Sequence, residues 1–182
     1  MPVPNEQQLI APQNNKPVFL IGMPGAGKTY WGQKVAAAFG LTFCDLDFVI
    51  ENQTGKTITQ LFDTVGDLGF RQAERDCMLS LNNGDINNTI IACGGGTPCF
   101  YDNMNVMKAM GKVVYLYATP EVLAPRLKEE AAKRPLLVGQ PQPEQFLTDL
   151  LSRRQEYYRQ AHYILQVTDI TVDTFAKILN DV

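Results

Sequence analysis

The sequence predicts an α/β fold, a three-layer α/β/α sandwich built on a five-stranded parallel sheet. Three observations predict it. Short apolar runs recur along the 182-residue chain. These runs are continuous rather than alternating, as suits strands buried on both faces. Stretches with helix-forming composition separate them, long enough to return each strand parallel to the last.

The elements follow in order. Residues 1–16 are rich in Pro, Asn and Gln without any period and read as a flexible N-terminal arm. Val18–Ile21 is wholly apolar and runs into Gly22, a buried strand. Lys28–Phe39 is alanine-rich and stops at Gly40, a helix with a glycine C-cap. Leu41–Cys44, Thr89–Cys93, Val113–Tyr117 and Tyr163–Val167 supply the remaining strands. Thr57 and Asp67 stand where helix N-caps are expected. Thr119-Pro120-Glu121 reads as a cap, an N1 proline and a first-turn carboxylate. Glu144–Tyr158 is amphipathic, and Val172–Leu179 closes the chain. Segment 131–143 carries three prolines and a glycine, so a mobile loop is expected there. Residues 17–182 read as a single domain.

Composition narrows the function. Hydrophobic residues make up 45% and charged residues 19%, a globular balance that argues against disorder. Lys+Arg is 16 against Asp+Glu 19, a net charge of −3 that disfavours a nucleic-acid partner. No run approaches a membrane span, and Met1 to Pro17 lacks the pattern of a signal peptide. Cys44, Cys77, Cys93 and Cys99 are too few and scattered for a disulfide scaffold, and no Cys/His pair follows to complete a zinc site. A cytoplasmic location is expected.

Gly22-Met-Pro-Gly-Ala-Gly27-Lys28-Thr29 matches G-x-x-x-x-G-K-[ST] in full, between a strand and a helix. Such a turn converges backbone N–H groups on phosphate oxygens, and the following helix adds its positive end. With glycine at about 7% of average composition, the string arises by chance in a chain this long on the order of a per cent of the time. The strand–loop–helix setting lowers that further. A nucleoside triphosphate is therefore expected on Gly25, Ala26, Gly27, Lys28, Thr29 and Tyr30. Lys28 would reach the outer phosphates, and the Thr29 hydroxyl would ligate Mg²⁺.

A phosphate loop alone does not choose between switch, motor and kinase. A guanine-reading Asn-Lys-x-Asp is missing: the one Asn-Lys, Asn15-Lys16, precedes the loop. Asp63-Thr-Val-Gly66 fits a loose D-x-x-G but lies in a helical stretch, and the third strand ends in Cys93-Gly94-Gly95-Gly96 rather than an acid. The acids instead follow the second strand, at Asp45 and Asp47, where strand ends line the ligand crevice of an open parallel sheet. One can hold the Mg²⁺ shell and the other orient an acceptor hydroxyl; alternatively Asp47 caps the next helix. Arg71 and Glu74, three apart on a helix, can pair so that the carboxylate aims the guanidinium at an anion, or form a plain surface ion pair. Gly94–Gly96 permits positive φ and close approach to a ligand. His162, the lone histidine, reads as structural, and Trp31 as core.

These residues resemble the shikimate kinases, small P-loop kinases built like the nucleoside monophosphate kinases. The likeness rests on Asp45-x-Asp47, Gly69-Phe70-Arg71-x-x-Glu74, Gly94-Gly95-Gly96 and Arg134-Pro-Leu-Leu137, followed by a late Arg and Tyr at helical spacing. It implies an ATP-dependent kinase that phosphorylates the 3-hydroxyl of shikimate in aromatic amino-acid biosynthesis, with MgATP and shikimate as partners. Gluconate kinase is a related alternative that lacks this combination. Lys28, Asp47 and Arg134 are implied as catalytic, with Arg134 on a mobile lid at about 127–143 that contacts ATP. Asp45 joins Thr29 at the metal. Shikimate is implied on Asp47, Arg71, Gly94, Gly95, Gly96 and one of Arg153 and Arg154. Arg153, Tyr157 and Ala161 fit the late pattern ungapped; Arg154 and Tyr158 fit with one deletion, and the reading leans to Arg154. Arg126 is a further candidate for adenine. A monomer or weak homodimer is expected.

Overall fold

The computed structural model describes residues 16–81, 84–130 and 143–181. Most of the expected arm and lid, Arg134 included, lies outside the described residues.

The apolar runs form the middle of the sheet. β1 (Val18–Ile21) and β3 (Thr89–Ala92) are buried at every position, so both faces of the sheet are covered. β2 (Thr42–Asp45), β4 (Lys112–Tyr117) and β5 (Tyr163–Gln166) complete five strands in the order β2-β3-β1-β4-β5, and every pairing is parallel. Strand boundaries differ from the sequence reading by one residue: β2 starts and ends one later, β3 and β5 end one earlier, and β4 starts one earlier.

Helices α1 (Lys28–Phe39), α2 (Leu46–Thr54), α3 (Ile58–Leu81), α4 (Asn103–Met110), α5 (Pro120–Glu130), α6 (Pro143–Tyr158) and α7 (Val172–Asn180) link or follow the strands. α1 ends on Gly40 in the left-handed region, as expected. α1 packs on the sheet through Gly32, where a Cβ would lie 2.5 Å from the Phe43 ring, and on α7 through the stack of Trp31 on Phe175 at 6.1 Å.

The capping expectations hold in part. Thr57 accepts from the Gln60 N–H while the Gln60 side chain accepts from the Thr57 N–H, a reciprocal cap. Asp67 is no cap. The break in α3 falls at Gly66 (φ 69°, ψ −176°), and Asp67 lies just past it. α5 runs through Glu130, so the first residues of the expected lid, 127–130, are helical.

His162 is structural, as read. Its ring Nδ1 accepts from the Val113 N–H at 3.0 Å, while the backbone N–H of His162 donates to the Val113 carbonyl at 3.0 Å. Among the described residues no helix is long and apolar enough to cross a membrane.

Candidate active site

Adjacent strands β1 and β3 send their connections in opposite directions, one to β2 and the other to β4, which opens a crevice at their C-terminal ends. The glycine-rich loop after β1 and the triple glycine after β3 form its walls. The cavity between them has a volume of about 530 Å³, and its lining includes Gly25, Gly27, Lys28, Thr29, Tyr30, Asp45, Asp47, Gly94 and Gly95.

The loop is shaped for anions. Gly27 is the N-cap of α1 with φ 87°, a conformation that L side chains resist, and it offers no side-chain cap. The first turn of α1 carries no acid either. Its amide end is thus left to an external anion. Lys28 Nζ donates to the Gly22 and Met23 carbonyls at 3.0 and 3.1 Å, which holds the ammonium over the loop. Ala26 is buried within the loop and Tyr30 lies 60% exposed at the rim, edge-on to Trp31. Trp31 is half-buried and lines the cavity as well as packing on α7, so it belongs to site and core alike. Arg126 donates to the Gly25 carbonyl at 3.3 Å and lines the same cavity.

The two acids divide their work. Asp45, rather than Asp47, caps α2: one carboxylate oxygen accepts from the Asp47 N–H at 3.1 Å, and the other accepts from the Thr29 hydroxyl at 3.1 Å. Two oxygen groups therefore meet at the head of α1, a donor set suited to a hard cation that keeps most of its water. Asp47 stands in the first turn of α2, beside Gly94 and Glu74. Burial pushes its carboxyl up to about 6, helped by the negative charges of Asp45 and Glu74 and opposed by Lys28.

Behind the triple glycine lies a buried charge cluster. Arg71 and Glu74 are 6% and 0% exposed, so their pair is no surface ion pair. Arg71 Nη1 donates to Glu74 Oε2 at 2.9 Å, and the guanidinium lies 4.3 Å from the Phe100 ring centroid and 4.9 Å from that of Phe70. Among the described residues the buried Arg71 Nε makes no hydrogen bond; the Asp67 carboxylate faces it at 3.5 Å.

The glycines are needed for space, not for unusual dihedrals. None of Gly94, Gly95 and Gly96 has positive φ, which corrects the expectation drawn from the sequence. A Cβ on Gly96 would instead lie 2.7–2.8 Å from the Arg71 guanidinium. One on Gly94 would lie 3.0 Å from Glu74 Oε1, and one on Gly95 3.1 Å from Arg154 Nη1.

That last contact separates the two late arginines. Arg154 is half-buried against Gly95, and its positive charge lies beside the hydroxyl of Tyr158. Fully buried Tyr158 in turn donates to the Gly95 carbonyl at 2.6 Å. Arg153 is exposed and, with Arg154, Cys99, Phe100, Leu150 and Tyr157, lines a second cavity of about 310 Å³. Sequence reasoning missed Thr97 and Asn103, both fully buried. Their partners on α3 are 23 and 28 residues away, and no local pattern marks them.

A nucleotide loop opening beside an arginine-bearing recess, with an acid at their junction, defines an ATP-dependent kinase of small anionic acceptors. The chain belongs to the shikimate kinase family, whose family model, described as shikimate kinase, matches residues 24–182. A shikimate kinase of Bacteroides thetaiotaomicron is 39% identical over 155 residues, covering 84% of this chain and 87% of the relative. The crystal structure of a shikimate kinase from the same organism superposes with TM-score 0.80 at 36% identity, covering 90% of this chain and 96% of that one. The shikimate kinase of Acinetobacter baumannii, solved in complex with shikimate, matches with TM-score 0.79 at 33% identity, covering 91% and 90%.

Proposed function

We propose that this chain transfers the γ-phosphoryl group of ATP to the 3-hydroxyl of shikimate, giving shikimate 3-phosphate and ADP. One observation carries the reading: Arg71 and Arg154 converge on the Gly94–Gly96 turn, and Asp47 stands beside that turn within the field of Lys28. Guanidinium groups suit a small carboxylate, and the Glu74 partner keeps Arg71 aimed. The acid's hydroxyl then faces Asp47.

As the acceptor oxygen bonds to phosphorus, the bond to the bridging oxygen of ADP breaks, ADP leaves with that electron pair, and Asp47 accepts the hydroxyl proton. A loose transition state makes alignment of the hydroxyl count for more than proton removal. Lys28 and the loop amides hold the terminal phosphates. Arg134, outside the described residues, is assigned to ATP and the transferring group. Thr29 and Asp45 are the residues that would hold Mg²⁺, which when bound neutralises phosphate charge. Residues 17–182 form one kinase domain in this reading, with an arm at 1–16 and a lid at about 127–143. The protein works in the cytoplasm as a monomer or weak homodimer, without nucleic-acid or membrane partners.

ADP release measured with shikimate, gluconate and quinate in parallel tests the assignment. Turnover is expected with shikimate and not with the other two; equal turnover with gluconate overturns it. Arg71→Ala should chiefly raise the KM for shikimate, and an effect confined to ATP would mean the acceptor pocket is misplaced.

A further inference from the structure

Glu74 is a fully buried carboxylate, and Arg71 engages only one of its oxygens. The other, Oε1, accepts from the Thr97 hydroxyl at 2.5 Å. Thr97 itself is fully buried, in the 3₁₀ turn Thr97–Cys99 that follows the triple glycine. That turn is fixed a second time. Asn103 Nδ2 donates to the Thr97 carbonyl at 2.9 Å, and Asn103 Oδ1 accepts from Arg75 Nη1 at 2.9 Å. Arg75 is in turn paired with Asp102 at 2.5 Å. Residues 71, 74 and 75 of α3 are thereby joined to residues 97 and 103 by an unbroken set of hydrogen bonds. Each polar group of the buried Thr97 and Asn103 side chains in this set meets a partner of matching kind.

We propose that Thr97 is a positioning residue for the acceptor, with Asn103 and Arg75 as its support. It touches neither nucleotide nor acceptor in this reading; it acts through Glu74. With both Glu74 oxygens engaged, the carboxylate cannot rotate about its terminal torsion, and the Arg71 guanidinium it holds is set in one plane. Arg71 cannot compensate by moving, because Phe100 lies against it and Gly96 leaves no slack. A carboxylate with one free oxygen would tilt, and the bidentate face that Arg71 presents to the acceptor would tilt with it. Thr97 thus acts on the acceptor side, since its hydroxyl and carbonyl bond Glu74 and Asn103.

The inference rests on the proposed acceptor role of Arg71, and the test separates the two. Thr97→Val keeps the shape and removes the hydroxyl; Thr97→Ser keeps the hydroxyl. Steady-state kinetics should give Thr97→Val a KM for shikimate raised about tenfold, with the KM for ATP within twofold of wild type. Thr97→Ser should return the shikimate KM to within about threefold. Wild-type constants in Thr97→Val, or a Ser variant as impaired as Val, overturn the inference. Should the Val variant fail to fold, Thr97→Ala is compared with Thr97→Ser and the same split decides. Arg71→Ala is run alongside. If it leaves the shikimate KM unchanged, the acceptor pocket itself is wrong; if it raises that KM while Thr97→Val does not, only the role of Thr97 falls.

Discussion

Asp47→Asn should make the protein more stable and nearly inactive. The folded state raises the Asp47 carboxyl from 3.8 to about 6, mainly by burial. At about 1.4 kcal/mol per pKa unit, holding the ionised form in place costs about 3 kcal/mol at pH 8. Asp47 keeps some solvent contact, so about 2 kcal/mol is the figure to expect. The sign is that of a group whose folded pKa exceeds its unfolded one. Its favourable contribution is complete below the unfolded value near 4 and is lost as pH rises through 6.

Asparagine carries no charge to bury, so the variant should gain about 2 kcal/mol at pH 8, equivalent to about 4–8 °C in Tm for a chain of this size. By the same linkage about half of that gain remains at pH 5. Urea unfolding of wild type and variant at the two pH values, without nucleotide or metal, measures both numbers. In the same variant kcat should fall by about two orders of magnitude or more, with ATP affinity near wild type. Equal stabilities at pH 8, or a gain undiminished at pH 5, would refute the electrostatic account. An unchanged kcat would refute the catalytic one.

Three more outcomes can be checked. Gly96→Ala places a Cβ 2.7–2.8 Å from the Arg71 guanidinium, so the KM for shikimate should rise more than tenfold while that for ATP holds; unchanged kinetics would mean the recess is looser than described. Thr29→Val should raise the Mg²⁺ concentration for half-maximal turnover at least tenfold, and an unaltered metal titration would remove Thr29 from that shell. Burial and nearby Lys108 lower the proton affinity of His162, whose neutral ring accepts from Val113. Stability from this group is complete above its unfolded value of about 6.5 and is lost as pH falls through the folded one. Urea midpoints in an Asp47→Asn background should therefore fall between pH 7.5 and 5.5, and adding His162→Gln should flatten that slope.

The sheet was legible in the sequence because its central strands are buried on both faces and so read as unbroken apolar runs. The phosphate loop was legible because its chemistry is local: eight consecutive residues contain the glycines, the lysine and the hydroxyl. Arg71 and Glu74 were legible as neighbours on one helix, but their burial was not, since it comes from Phe100 and the triple glycine. The roles of Asp45 and Asp47 could not be divided, because both sit at one strand end and only the start of α2 decides which of them caps. Helix periodicity could not choose between Arg153 and Arg154. Their different surroundings follow from Tyr158, whose buried hydroxyl reaches Gly95, 63 residues earlier. The N-cap expected at Asp67 falls one residue past the break at Gly66, so the place of the break is legible and only the residue that makes it is not.

Trp31 is the only tryptophan in the chain. It stands at the lip of the nucleotide cavity with its ring laid over Phe175 of the final helix. Tryptophan emission, excited beyond the absorption of the seven tyrosines, therefore originates at one known spot, a few residues from the expected phosphates. An unlabelled sample thus carries its own optical gauge of occupancy in the cavity that Trp31 shares with Lys28, Asp47 and Gly95.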